Sequence, residues 1–163
     1  MPWKTPPLGT GGGLKFAARS LPYRSQFLVL NSDVITRFSM NALTEHHHHQ
    51  CSAITLALVP YRSNWGVVDL DDGDLVCGFR QTPILPYWVS AGVCVCEPEI
   101  IDLLPDRGDH DSIFQHVAES GRMFGYRING YWRGIDTIKD LQAATVEVRN
   151  NGYSLPKCSV PKK

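Results

Sequence analysis

Phe27-Leu28-Val29-Leu30-Asn31-Ser32-Asp33 is a short apolar run that turns polar and then acidic. Four consecutive apolar residues without alternation predict a strand covered on both faces, as in a parallel sheet. A carboxylate directly after such a strand stands at the carboxyl edge of the sheet, where open α/β folds bind their ligands. Asp33 therefore suits Mg²⁺, which takes one or two carboxylates together with phosphate oxygens. It suits a plain turn or cap residue equally well.

Outward from that strand, residues 11–21 read as a helix entered through glycines, and Ser39 can cap a helix running to about His49. Residues 52–60 are rich in Ile, Thr, Leu and Val and predict a second strand. Asp71-Asp72-Gly73-Asp74 between two apolar runs predicts a hairpin, and residues 88–96 a further strand. Helices are expected over 97–104 and 112–119, the second stopped by Gly121, with a strand over 122–128. Thr137-Ile138-Lys139-Asp140 resembles a capping box opening a helix through about Val148. Strands alternating with helices predict an α/β fold of three layers: a Rossmann-like, mixed but mostly parallel sheet with helices on both faces. A single domain over 1–149 is expected, with a loose tail over 150–163.

Composition narrows the partners. The 163 residues carry 16 basic and 16 acidic side chains, so there is no electrostatic footprint for nucleic acid or an anionic membrane. No apolar run approaches the roughly 20 residues of a membrane helix, and the first residues lack signal-peptide order. None of the five cysteines is spaced as Cys-x-x-Cys. Cys94 and Cys96, two apart in a strand, share a face; they read as buried thiols of a reducing cytoplasm or as a metal or redox pair.

Three features leave two readings each. Leu8-Gly9-Thr10-Gly11-Gly12-Gly13 matches no phosphate-loop pattern, yet glycines at a helix start let a ligand approach free N–H groups; a simple entry loop reads equally well. In the run His46 to His49 only the first and last share a helix face, so the choice is a two-histidine metal site or a solvated helix end. Trp65, Trp88 and Trp132 are core aromatics or stacking platforms for a base or sugar.

"PLGTGGGLKFA" from Pro7 and "FLVLNSDVI" from Phe27 are followed, in order, by "ITLALVP", "WGVVDLD", "GFRQTP", "VSAGVCVCEPEIIDLLP" and "GYWRGIDTIKDL". The series resembles the nucleotide-sugar pyrophosphorylases, the sugar-1-phosphate nucleotidyltransferases, and particularly their mannose-1-phosphate guanylyltransferase-like branch. The resemblance implies transfer of a nucleoside monophosphate from a nucleoside triphosphate, GTP favoured, to a sugar 1-phosphate, with pyrophosphate leaving. It implies that Asp33 holds Mg²⁺ against the triphosphate and that Leu8, Gly9 and Thr10 lie along the base and ribose. It puts Gly66, Gln81, Thr82, Ser90 and Gly92 at the sugar.

The same resemblance exposes departures. The family's glycine-rich, arginine-bearing loop and first strand belong before Pro7, so the domain is expected to be truncated and to function with a homo-oligomeric or complementing chain. The family's Glu-Lys-Pro stands here as Gln81-Thr82-Pro83, which removes a phosphate-neutralising lysine. The second metal aspartate of the family stands here as Gly134; Asp136, two residues on, is a displaced ligand or a helix cap. These losses also admit a non-catalytic module that binds a sugar nucleotide or a partner chain.

Overall fold

The computed structural model describes residues 6–21 and 25–150. The tail expected over 150–163 lies, past Asn150, outside the described residues. The elements follow in the order α1 (Gly9–Arg19), β1 (Phe27–Leu30), β2 (Val34–Arg37), α2 (Met40–His49), β3 (Ile54–Arg62), β4 (Val67–Leu70), β5 (Val76–Arg80), β6 (Ile84–Cys96), α3 (Ile100–Leu103), α4 (Asp111–Glu119), β7 (Met123–Arg127), β8 (Tyr131–Gly134) and α5 (Ile138–Asn150).

The central sheet has the order β1-β6-β3-β7. β3 and β7 pair in parallel, while β6 pairs antiparallel with both β1 and β3. Three of the four strands therefore share one direction and β6 runs against them. Alternation along the strands sorts the core into two layers. Ile54, Cys94 and Cys96 meet Ile100, Leu104 and Val117 on the face covered by α1, α3 and α4. Ala57, Val59, Val93 and Val95 meet Leu43 of α2 on the other. The fold is thus the expected three-layer α/β arrangement, and no helix among the described residues is long and apolar enough to cross a membrane.

Local chemistry explains the helix starts. Ser39 accepts from the Ala42 N–H at 3.1 Å. Thr137 and Asp140 form a reciprocal box: Thr137 N–H donates to Asp140 Oδ2 at 3.0 Å, and Asp140 N–H to Thr137 Oγ1 at 3.2 Å. The Thr137 hydroxyl also donates to Asp140 Oδ2, at 2.7 Å, and this bond chiefly holds the Asp140 carboxyl below its ordinary range.

Two expectations are corrected. β1 is an edge strand whose one hydrogen-bonded neighbour is antiparallel, and Leu28 and Leu30 stay 44% and 54% exposed. Only its Phe27 and Val29 face is packed, because α2 covers β3 and β6 rather than β1. The histidine run is not wholly solvated either. His47 is 1% exposed, one turn from Leu43 on the inner stripe of α2. Its Nε2–H donates to Glu97 Oε1 at 3.1 Å. Its Nδ1 faces the Thr55 and Ser52 hydroxyls at 2.8 and 3.0 Å.

Candidate functional site

β1 ends at Leu30, and the chain turns through Asn31, Ser32 and Asp33 into β2. Alongside, Asn31 N–H donates to the Gly92 carbonyl at 2.8 Å, which ties this turn to the middle of β6. There the β3–β6 register jumps between Leu56 and Leu58, a bulge opposite Ala91, Gly92 and Val93. Gly92 takes φ +70°, and a Cβ there would meet the Asn31 side chain at 3.0 Å. Only glycine serves both the backbone and the close approach. Bulges re-aim side chains beside functional sites. This one leaves Ser90 next to the Asn31–Asp33 turn; Gly92 N–H donates to Ser90 Oγ at 3.3 Å, so the hydroxyl proton is free for a ligand.

The result is a cleft of about 400 Å³ walled by Thr10, Asn31, Asp33, Ser90, Gly92 and His110 over a floor of Leu14, Leu56, Cys94 and Phe114. A few convergent polar groups over an apolar floor are the makings of a small-molecule site. Four of the residues singled out in the sequence, Thr10, Asp33, Ser90 and Gly92, come from three separate segments and meet here.

His110 was not legible beforehand: it is a lone histidine in a loop 100 residues from Thr10. Its Nδ1 lies 3.0 Å from Thr10 Oγ1, and that hydroxyl is also 3.0 Å from Asp109 Oδ1. A hydroxyl has one proton and the carboxylate can only accept, so the imidazole Nδ1–H is the donor to Thr10. In the neutral ring Nε2 is then left as an acceptor.

The remaining predicted residues lie elsewhere. The Leu8 carbonyl accepts from Gly108 N–H at 2.8 Å, while Gly11 and Gly12 N–H both donate to the Gly108 carbonyl at 2.9 and 3.2 Å. The loop 105–110 thus caps the start of α1, and it takes up the Thr10, Gly11 and Gly12 N–H groups, which favours the entry-loop reading of these glycines. Gly9 also faces that loop: a Cβ on it would sit 2.5 Å from Gly108 O. Gly66 and Gln81 meet at the base of the β4–β5 hairpin, where a Cβ on Gly66 would be 3.4 Å from Gln81 Oε1. Thr82 holds φ +46°, an uncommon conformation for a β-branched residue, and its carbonyl accepts from Arg62 Nη1 at 3.1 Å.

Asp136 lines a second cleft of about 480 Å³ with Arg62, Asn64, Arg133 and Trp132. It is not remote from Asp33. β2 pairs antiparallel with β8, and Ile135 N–H donates to the Asp33 carbonyl at 2.7 Å, so Asp136 follows the residue bonded to Asp33. No cluster of three or more His, Cys, Asp or Glu suited to a metal occurs among the described residues. A magnesium site does not require one, since one or two carboxylates and substrate phosphates suffice.

The cysteine reading closes, and the tryptophans divide between core and surface. Cys94 and Cys96 are buried free thiols with Sγ atoms 3.7 Å apart, and the contact with Cys94, followed by burial, pushes the Cys96 thiol far up. Such thiols stay protonated and unreactive. Trp132 belongs to the second core layer and donates Nε1–H to the Ala91 carbonyl at 2.7 Å, Trp88 lies under Arg127 at 4.6 Å, and Trp65 is exposed.

Comparison with known proteins gives the same direction. The profile of the family described as "Nucleotidyl transferase" matches residues 2–151. The mannose-1-phosphate guanyltransferase of Eremothecium gossypii is 32% identical over 157 residues, 91% of this chain and 44% of its own length. The Saccharomyces cerevisiae protein of the same name is 30% identical over the same shares. This chain thus spans less than half the length of those relatives. Among solved structures, HddC from Yersinia pseudotuberculosis superposes with a TM-score of 0.64 at 21% identity, covering 88% of this chain and 64% of that one. HddC complexed with GMP-PN gives 0.62 at 20% identity over the same shares. A putative glucose-1-phosphate thymidylyltransferase from Bacillus anthracis gives 0.64 at 14% identity, covering 90% and 63%.

Proposed function

We infer, since the chain belongs to the nucleotidyl transferase family, that its Asp33 cleft serves transfer of a nucleoside monophosphate, GMP from GTP by preference, to a sugar 1-phosphate of the mannose type. The observation that carries this reading is the convergence of Thr10, Asp33, Ser90 and Gly92 on one cleft at the end of β1. The similarity to mannose-1-phosphate guanyltransferases supports the choice of base and sugar. A cytoplasmic setting, with free thiols at the four described cysteines, belongs to the same proposal.

In such a reaction an oxygen of the sugar phosphate attacks the α-phosphorus in line. The bond to the bridging oxygen breaks, and pyrophosphate leaves with the electron pair. Catalysis of this kind is mostly positioning and stabilisation of spreading negative charge. The Asp33 carboxylate would hold Mg²⁺ in this cleft, and the ion would supply that stabilisation. Asp33 lines the cleft while Asp136 lines the neighbouring one, so the cleft offers one carboxylate, which suffices for a cation that completes its shell with phosphate oxygens and water. Ser90 offers a hydroxyl donor to a sugar. Thr10 and His110 form the opposite wall and orient the nucleotide, with Leu8 and Gly9 shaping the turn behind them. The apolar floor keeps water from the reacting atoms.

A specific departure favours a second reading, a module that binds a sugar nucleotide or partner chain without turnover. Thr82 gives no charge for a sugar phosphate, and its strained φ fixes a backbone carbonyl toward Arg62 instead. A pyrophosphate-release assay with GTP and mannose 1-phosphate, extended to other pairs, separates the two. The enzyme reading expects magnesium-dependent release that falls in Asp33→Ala and rises about tenfold or more in Thr82→Lys, a restored charged contact. Sugar-nucleotide binding with no release from any pair, in either the native chain or Thr82→Lys, favours the module.

A further inference from the structure

The cleft that holds Asp136 also holds a guanidinium that no carboxylate neutralises among the described residues. Arg62 closes β3, where the β3–β6 register jumps between Pro60 and Arg62 so that Arg62 pairs with Ile84. Such an irregularity re-aims the side chains beside it. One N–H of the Arg62 fork, on Nη1, donates to the Thr82 carbonyl at 3.1 Å, and the rest of the fork is open. The tether is built from both sides. Ser63, 5% exposed, donates its N–H to the Pro83 carbonyl at 2.9 Å and its hydroxyl to the Trp65 carbonyl at 2.9 Å. Thr82 keeps φ +46° to present its carbonyl, a conformation that persists where the surroundings over-determine it, as at ligand clamps.

The rest of the cleft says what Arg62 is open to. Arg133 is taken up by Glu147, through Nε at 3.0 Å and through Nη2, and Asp140 by the Thr137 hydroxyl. The exposed side chains of Asn64 and Asp136 have no such partner among the described residues. Trp132, fixed by its bond to the Ala91 carbonyl, supplies an aromatic wall. A guanidinium fork matches phosphate oxygens. A carboxylate and an amide oxygen accept from hydroxyls, and an aromatic face covers a sugar ring. With open groups of both signs, the cleft suits a ligand charged at one end and rich in hydroxyls at the other. We propose that Arg62 binds the phosphate of the acceptor sugar 1-phosphate, with Asn64 and Asp136 meeting hydroxyls of its ring. The two clefts are neighbours, joined by the bond from Ile135 N–H to the Asp33 carbonyl. The assignment rests on the transfer reading of the Asp33 cleft and supplies, from β3, the charge that Thr82 does not.

Calorimetric titration of the whole chain with mannose 1-phosphate and with mannose, in the presence of Mg²⁺, is the test. The native chain is expected to bind the phosphate ester about tenfold or more tighter than the bare sugar. Arg62→Gln loses most of that preference, and Thr82→Lys placed on it recovers the loss. Arg80→Gln, which removes a guanidinium already paired with Asp69 on the hairpin, keeps it. Should Arg62→Gln fail to fold, hydrogen exchange on the native chain reads the same point: amides of residues 61–66 gain protection with mannose 1-phosphate and not with mannose. A preference that survives in Arg62→Gln overturns the proposal and leaves the Asp33 reading standing. So does a native chain that binds neither compound or does not distinguish them, or exchange that mannose 1-phosphate leaves unchanged. Arg62-dependent binding without pyrophosphate release from any substrate pair keeps Arg62 as the phosphate ligand and overturns the turnover instead.

Discussion

His47 and its neighbours on α2 show how much one residue's environment decides. His47→Leu removes the imidazole from the Glu97 carboxylate and from the Thr55 and Ser52 hydroxyls, which keep their own contact at 2.6 Å, and is expected to cost about 1–3 kcal/mol in urea unfolding. Joint replacement of His46, His48 and His49 by Gln should stay within about 0.5 kcal/mol, as surface changes do. Equal losses in the two variants would contradict the buried network. The four histidines are identical in sequence. Only the phase of the helix against the sheet, set by Leu43, distinguishes them, and a helix of ten residues with few apolar positions does not announce its phase. Asp33 is the opposite case, legible because an apolar run fixes where the sheet ends. If it is the principal carboxylate for the cation, Mn²⁺ affinity measured by water-proton relaxation falls about tenfold or more in Asp33→Ala, and less in Asp136→Ala. An unaltered affinity in Asp33→Ala would remove it from that role.

At the scale of elements, the glycines of α1 divide by what surrounds them. A Cβ on Gly12 would meet Asp106 O at 2.6 Å, whereas one on Gly13 meets nothing within 4 Å. Gly12→Ala should therefore loosen the docking of α1 on the loop 105–110, at a cost of about 1–3 kcal/mol from overpacking. Gly13→Ala should stabilise by about 0.5–1 kcal/mol through helix propensity. Thermal unfolding compares the two, and shifts of the same sign would show that the contact does not govern. The helix α5 is held differently. Arg133 Nε and Tyr131 OH donate to Glu147 Oε2 at 3.0 and 2.8 Å. The bond from Arg133 chiefly, then that from Tyr131, holds the Glu147 carboxyl below its ordinary range. A carboxylate whose pKa is lowered by folding contributes stability above its unfolded pKa and loses it as pH falls through the folded one. The stability difference between the native chain and Glu147→Gln should thus be full near neutrality and close in acid; a gap independent of pH would contradict the anchor. The strands β2 and β8 that carry this anchor escaped sequence reading. Four residues each, with Thr36, Arg37 and Arg133 among them, give no alternation long enough to detect.

For the whole molecule, the order of α1, β1, α2, β3, the hairpin, β6 and α5 was readable because each is bounded by a cap, a turn or a change of period. What escaped is long-range: the antiparallel run of β6 between β1 and β3, the capping of α1 by a loop about 100 residues away, and the arrival of His110 at the cleft. No local signal encodes these, since they arise when separate segments bury apolar faces against one sheet. The central claim is that this convergence makes the Asp33 cleft a nucleotide-sugar site. Calorimetric titration of the chain with GDP-mannose in the presence of Mg²⁺ measures that claim most directly. The account predicts saturable binding that weakens about tenfold or more in Asp33→Ala, at least about 1.4 kcal/mol. Absence of saturable binding, or an unchanged Kd in Asp33→Ala, would contradict it.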